Sequence, residues 1–229
     1  MSEYKTLNTV AYAHLRKMIY GSELEYDAVY SETKLAAQLA ISRTPIRDAL
    51  NRLAQERYID ILPNRGFRLH TPTRADIREA FHVRMMIESY CAGVLARRCP
   101  DARARDAIAN MEAALESQRH LLADDSAYSL SQFWLDDLAF HRSPLEYMDI
   151  PSIVAQYESF MNVFMPHHLI RAYDARQRQP LALERHRSTL VEHAAIIEAI
   201  KSQDAMRIDG AIRAHLESSL KALDVSMED

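Results

Sequence analysis

The apolar residues of this 229-residue chain recur about every three to four positions almost throughout, and they leave that period at one place. Over 58–69 the pattern is strand-like. Tyr58, Ile59, Ile61 and Leu62 precede Pro63-Asn64-Arg65-Gly66, and Phe67 and Leu69 continue in alternation beyond it. Apolar alternation on either side of a Pro/Gly turn predicts a small hairpin. The rest of the chain must bury helix faces against helix faces, so the expected fold class is mainly α. The scarcity of glycine, 4 residues in all, agrees, because glycine is costly inside a helix.

Three helices are expected ahead of the hairpin. Leu7, Val10, Ala11, Leu15, Met18 and Ile19 predict a first helix over 7–20, stopped by Gly21. Ser31 is placed to cap a short helix carrying Leu35, Ala36 and Leu39. After a break at Ile41-Ser42, a third helix runs from about 43 to 56, capped by Ser42 or Thr44. Pro45 is tolerated in its first turn. Three helices and a hairpin over 1–72 make a winged helix-turn-helix plan. Thr73 with Asp76 then forms a capping box for a long helix over about 74–98, ended by Pro100. Further helices are expected near 102–123, 127–142, 152–165, 182–202 and 205–224, punctuated by Pro144, Pro151, Pro166 and Pro180. Residues 73–229 thus read as an all-helical bundle and a second domain.

The net charge is -4, yet its distribution is uneven. Residues 33–70 hold 7 Lys/Arg against 3 Asp/Glu, so a basic segment is embedded in an acidic chain, as a polyanion-binding module would be. No apolar run reaches the roughly 18 residues that cross a bilayer, and the N-terminus lacks the apolar core of a signal peptide. Cys91 and Cys99, eight apart on one helix, are too distant for a disulfide within it. The expectation is a cytoplasmic protein with reduced thiols and no membrane partner.

Within the basic segment, "ISRTPIRDALNRLA" (41–54) sets Arg43 and Arg47 one turn apart at the start of an amphipathic helix. A helix N-terminus offers unpaired N–H groups and partial positive charge, and the two arginines make it an anion site. Ser42 and Thr44 add hydroxyls, and arginine reads guanine O6 and N7 with two hydrogen bonds. Ile46, Ala49, Leu50 and Leu53 hold the helix to its neighbours. Arg65 beside Gly66 places a cation at the hairpin tip. A solvated charged flank would explain charge alone. The ordered set of short helix, capped basic helix and basic-tipped hairpin points to double-stranded DNA.

In the second domain, polar residues stand where apolar ones belong. Leu130, Phe133, Trp134 and Leu138 form a stripe that includes Asp137 and His141, four apart and on one face. His186 and His193 fall among Leu190, Ile197 and Ile200, and His215 is central to Ile208, Ile212 and Ala222. A buried carboxylate is costly unless paired or metal-bound. Each histidine alone suits a satisfied core residue. As a set, Asp137, His141, His193 and His215 suit a borderline divalent cation, zinc first, with nickel or manganese as the others. In the long helix, Arg84 and Glu88 lie among Ile77, Phe81, Cys91 and Leu95. They read equally as an internal ion pair or as a site where Arg84 grips a small carboxylate with both arms.

The stretch "LRKMIYGSEL…SETKLAAQLAISRTPIRDALNRLAQERYIDILPNRGFRL" resembles the DNA-binding half of GntR-family bacterial repressors. The resemblance implies that Arg43, Thr44 and Arg47 touch bases or phosphates, with Thr33 and Lys34 near the backbone and Gly66 at the wing tip. The chain departs from the family at "EYDAV", where Pro-Gly is usual, at Arg57, where glycine is usual, and at Thr33, where an arginine often lies. Farther on, "HVRMMIESYCAGVLA", "WLDDLAFHRS", "LVEHAAIIEAIKSQD" and "AIRAHLESS" are similar to successive signatures of the FCD effector domain, which defines the branch that includes fatty-acid- and organic-acid-responsive members. That similarity implies Asp137, His141, His193 and His215 as metal ligands and Arg84 as the effector arginine. "EYMDIPS" replaces a frequent Ser-Gly-Asn, and His167, His168 and His186 have no implied role. The whole reads as a homodimeric, ligand-responsive regulator that binds a palindromic operator, a metal and a small organic acid, and is not an enzyme. A metal-dependent hydrolase and a regulator sensing the metal itself are the rivals.

Overall fold

A computed structural model describes residues 7–20, 23–25, 28–99, 101–123, 129–164 and 180–223. Gly21, Pro100, Pro166, His167 and His168 lie outside them. The molecule is mainly helical, with an N-terminal helix-turn-helix and a helical C-terminal part. It divides into two compact units, one of residues 1–76 with 159–171, the other of 77–158 with 172–229.

In the first unit, α1 (Leu7–Tyr20), α2 (Glu32–Leu39) and α3 (Arg43–Gln55) precede β1 (Ile59–Leu62) and β2 (Gly66–Leu69). The Ser31 hydroxyl accepts from the Lys34 amide and caps α2. Ser42 holds the N-cap position of α3 in extended conformation, but its side chain makes no capping bond, contrary to expectation. Leu15, Ile46, Leu50, Leu53, Ile59 and Phe67 are fully buried and tie α1 and α3 to the hairpin. The strands pair antiparallel, Ile59 opposite Leu69 and Leu62 opposite Gly66. Tyr30 bridges to Phe67 through a reciprocal pair of backbone bonds of 2.7 and 2.9 Å.

Two backbone positions explain local sequence. Gly66 has φ +120°, and a Cβ there would lie 2.0 Å from the Tyr30 carbonyl oxygen. Its lack of a side chain therefore serves a close approach between the wing and the Tyr30 segment ahead of α2. Arg57, where the resembling family has glycine, has φ 58°, so the position is left-handed. Its guanidinium lies 3.0 Å from Asp76.

The long helix α4 (Arg74–Arg97) opens with the expected capping box: Thr73 Oγ1 accepts from the Asp76 amide, and Asp76 accepts from the Thr73 amide. The chain continues through α5 (Ala102–Ala123), α6 (Leu130–Tyr147), α7 (Pro151–Phe164), α8 (Pro180–Ser202) and α9 (Ala205–Ala222), of which residues 159–164 of α7 are grouped with the first unit and the rest with the second. Three expectations are corrected. Pro144 lies inside α6 instead of ending it. Proline removes one helical bond, but buried Phe140, His141, Ser143 and Leu145 on both sides hold the helix in place. The α6 stripe is also rotated: Trp134 and Leu138 are only half-buried, and Asp136, Asp137 and Phe140 are buried. Ala222, expected in the α9 stripe, is exposed.

Candidate metal centre and nucleic-acid face

Three helices of the second unit each bring one imidazole to a common point. His141 comes from α6, His193 from α8 and His215 from α9, all buried, and one donor atom from each lies within 4.8 Å of the others. Asp137, one turn before His141, flanks the three: its carboxylate oxygens lie 3.4 Å from His193 Nε2 and 4.0 Å from His141 Nε2. Donors sharing a metal at about 2.1 Å each lie roughly 3–3.5 Å apart, so the Asp137–His193 separation is of the right size.

The rings are aimed by their far sides. His141 Nδ1 lies 2.9 Å from Glu88, His215 Nδ1 2.9 Å from Glu192 and His193 Nδ1 3.0 Å from Gln118 Oε1. Gln118 Nε2 donates to the Phe133 carbonyl, which leaves its oxygen to accept from His193. Each Nδ1 faces an acceptor oxygen and so carries a proton, and a ring that is neutral then has its lone pair on Nε2. The Nε2 atoms of His141 and His193 are buried without a hydrogen-bond partner. Phe140 stacks on His193, with ring centres 3.9 Å apart, and fixes its plane. Burial lowers the pKa of His193 well below the ordinary value, and the neighbouring imidazoles lower it further. Burial lowers His215 as well, against the pull of Glu192. Neutral rings with an oriented, orphaned lone pair are what a metal needs.

Around this cluster stand groups whose part the sequence did not reveal. Glu88 accepts from Arg84 Nε at 2.7 Å and from the Tyr157 hydroxyl at 2.9 Å. The internal ion pair is thus real, and Arg84 also keeps a buried Nη2 with no hydrogen-bond partner. Its charge opposes protonation of His193 and His215. Glu192 is held by Arg185 with bonds of 2.9 and 3.0 Å. His186 is buried against Phe133, and burial pushes its pKa down to about 4.

In the first unit, Thr33, Lys34, Ser42, Arg43, Thr44, Arg47 and Arg65 are all exposed, and Gly66 is half-exposed. Ile46, Ala49, Leu50 and Leu53 face the core, which leaves the arginine flank of α3 to solvent. The Arg47 guanidinium lies 3.3 Å from Glu32 of α2, a partner that the sequence did not suggest. No described helix is long and apolar enough to cross a membrane.

The chain matches two family models in succession: bacterial regulatory proteins of the gntR family over residues 7–69, and the FCD domain over 79–218. It is 28% identical over 190 residues to the gluconate operon transcriptional repressor of Bacillus licheniformis, covering 83% of this chain and 74% of that one. It is 26% identical over 223 residues to the HTH-type transcriptional repressor RspR of Escherichia coli (strain K12), covering 92% and 86%. Among solved structures, E. coli McbR/YncC has the same fold, with a TM-score of 0.68 at 17% identity over 96% of this chain and 97% of that one.

Proposed function

Because this chain belongs to the FCD-domain branch of the GntR family of bacterial transcriptional regulators, we propose that it is a homodimer whose first unit binds a palindromic operator and whose second binds a divalent metal and a small carboxylate. Its families and relatives are regulators of transcription, not enzymes, which sets the hydrolase reading aside. The proposed domains are 1–72 and 73–229, and the proposed location is the cytoplasm.

One observation carries the metal reading. Three buried imidazoles from three helices face one another, each Nδ1 satisfied from behind, with two Nε2 lone pairs orphaned. An unmet polar group of this kind costs about 1–3 kcal/mol, and a shared cation would relieve both. His141, His193 and His215 would hold the ion with Asp137. Zinc suits the donor set first, and nickel or manganese follow. A bound ion with an open position would supply a Lewis-acid hold on an anionic oxygen. Arg84 would add the charge of its buried Nη2.

On the first unit, Arg43, Thr44 and Arg47 are proposed to meet bases or phosphates, with Ser42, Thr33 and Lys34 on the backbone and Arg65 and Gly66 at the wing. Effector binding changes operator affinity only to the extent that it favours one state of the dimer.

Elemental analysis of the purified chain tests the metal. Near-stoichiometric metal is expected in the wild type, and a sharp loss in His193→Ala and His215→Ala. His120→Ala, on an exposed position of α5, is the control. Full occupancy in the His193→Ala/His215→Ala double variant overturns the assignment. Gluconate, which the name of one relative supplies, is the first carboxylate to titrate against the metal-loaded chain on operator DNA.

A further inference from the structure

The three imidazoles are not backed alike. His193 rests on a neutral amide, Gln118, and His215 rests on Glu192, whose arginine is partly exposed. His141 alone rests on a carboxylate buried together with its arginine: Arg84 and Glu88 are each 4% exposed. Both Glu88 oxygens are engaged. Oε2 meets His141 Nδ1 at 2.9 Å, and Oε1 takes Arg84 Nε–H at 2.7 Å and the Tyr157 hydroxyl at 2.9 Å. Away from water, a carboxylate divides its charge among such donors, so a change at one is felt at the others.

We propose that Glu88 is the positioning residue that couples the two ligands of this unit. It fixes the ring and tautomer of His141 for the metal, and Arg84 in turn fixes Glu88. This rests on the metal reading above and deepens it. A carboxylate behind the Nδ1–H of a ligating histidine orients the ring and strengthens its Nε2 as a donor. An anion drawn to the free Nη2 of Arg84 competes with Glu88 for the same guanidinium. It alters what Glu88 gives His141 without touching the ring. Anion and metal affinities are then linked, by the same factor in each direction.

The test uses the full chain stripped with EDTA. Zn²⁺ affinity is read by competition with a chromophoric chelator, and the donor set by the visible spectrum of Co²⁺. Glu88→Gln keeps the shape and removes the charge; about 10–100-fold weaker Zn²⁺ binding and a changed Co²⁺ spectrum are expected. Tyr157→Phe removes one hydrogen bond and no charge, and remains informative should Glu88→Gln fold poorly. A loss of a few fold is expected. Arg84→Lys changes no metal-ligating residue, yet it should weaken Zn²⁺ several fold because an ammonium does not hold the carboxylate in one orientation. That loss should disappear in a Glu88→Gln background. Unchanged Zn²⁺ affinity and Co²⁺ spectrum in Tyr157→Phe and Arg84→Lys, with metal still lost in His193→Ala, overturns the coupling and spares the metal reading. Metal retained in His193→Ala overturns both.

Discussion

His193 and Gln118 lie 75 positions apart in sequence, and their side chains meet at 3.0 Å in the interior of the helical unit. The amide also bonds the Phe133 carbonyl, so one glutamine serves a ring on α8 and the backbone of α6. Gln118→Leu would strand a buried N–H on His193 and remove a second bond from the Phe133 carbonyl, which the α6 helix already engages. The expected cost is about 1–3 kcal/mol of stability for the stranded group. Metal affinity should fall as the ring loses its fixed tautomer. Urea unfolding of the metal-free chain measures the first, and chelator competition the second. A variant as stable as the wild type would mean that the ring finds another acceptor.

The same burial makes the helical unit sensitive to acid. Burial holds His193 and His215 below the ordinary histidine value and His186 near 4. In the unfolded chain these rings titrate near 6.5, so below that pH the unfolded state binds more protons and gains on the folded one. Their contribution is fully present above about pH 6.5 and is lost as the pH falls toward 4. Burial works against ionised Glu88 and Glu192, but their cationic and hydrogen-bonding partners more than offset it and hold both below the usual carboxylate range. Their stabilisation is present above about pH 4.3 and is lost below it, in the same direction. Thermal melts of EDTA-treated protein should show the melting temperature falling steadily from pH 7 to 4.5. Metal retention should fail over the same interval, because protons compete for the rings. A flat melting temperature from pH 7 to 5 would contradict the buried neutral state.

On the nucleic-acid face, Arg47 is paired with Glu32, but more than half of its side chain remains in solvent. Such an exposed pair is worth little, so operator binding can take the guanidinium over at small cost. Arg47→Ala should lose about 1–3 kcal/mol of specific binding if the side chain reads a base, and less of the non-specific binding. Affinity should fall steeply with salt, as phosphate contacts release counterions. Filter binding to operator and to random duplex separates the two terms. Unchanged operator affinity in both Arg43→Ala and Arg47→Ala would remove these residues from the interface.

What was legible in the sequence was local. Ser31, the Thr73/Asp76 box and the Pro63–Gly66 turn act within a few residues, so spacing alone gives the helix starts and the hairpin. Histidines inside apolar stripes could be recognised as buried, because helical periodicity reports which face is inward. Their partners could not. Glu88 meets Tyr157 across 69 positions, and Gln118 meets His193 across 75, separations that no local pattern encodes. Pro144 misled for the opposite reason: its local rule is to break a helix, and packing on both sides of it overrode that rule.

Two of the positive-φ positions of the first unit, Gly66 and Arg57, should respond differently to substitution. At Gly66 an added Cβ meets a backbone oxygen at 2.0 Å, and the partner, Tyr30, is fixed by its own pair of bonds to Phe67. Neither side can yield without breaking that bridge. Gly66→Ala should therefore cost about 2 kcal/mol or more, from a strained φ and a lost wing contact, and should weaken operator binding with it. At Arg57 the backbone at φ 58° already carries a side chain at some cost. Arg57→Gly relieves that strain by about 1 kcal/mol and forfeits the partly exposed pair with Asp76, which is worth about as much. Its stability should stay within about 1 kcal/mol of the wild type. Denaturant midpoints for the two variants, taken with the m-values, decide the matter. Equal losses at both positions would mean that the left-handed backbone at 57 depends on the Asp76 pair and not on the turn itself.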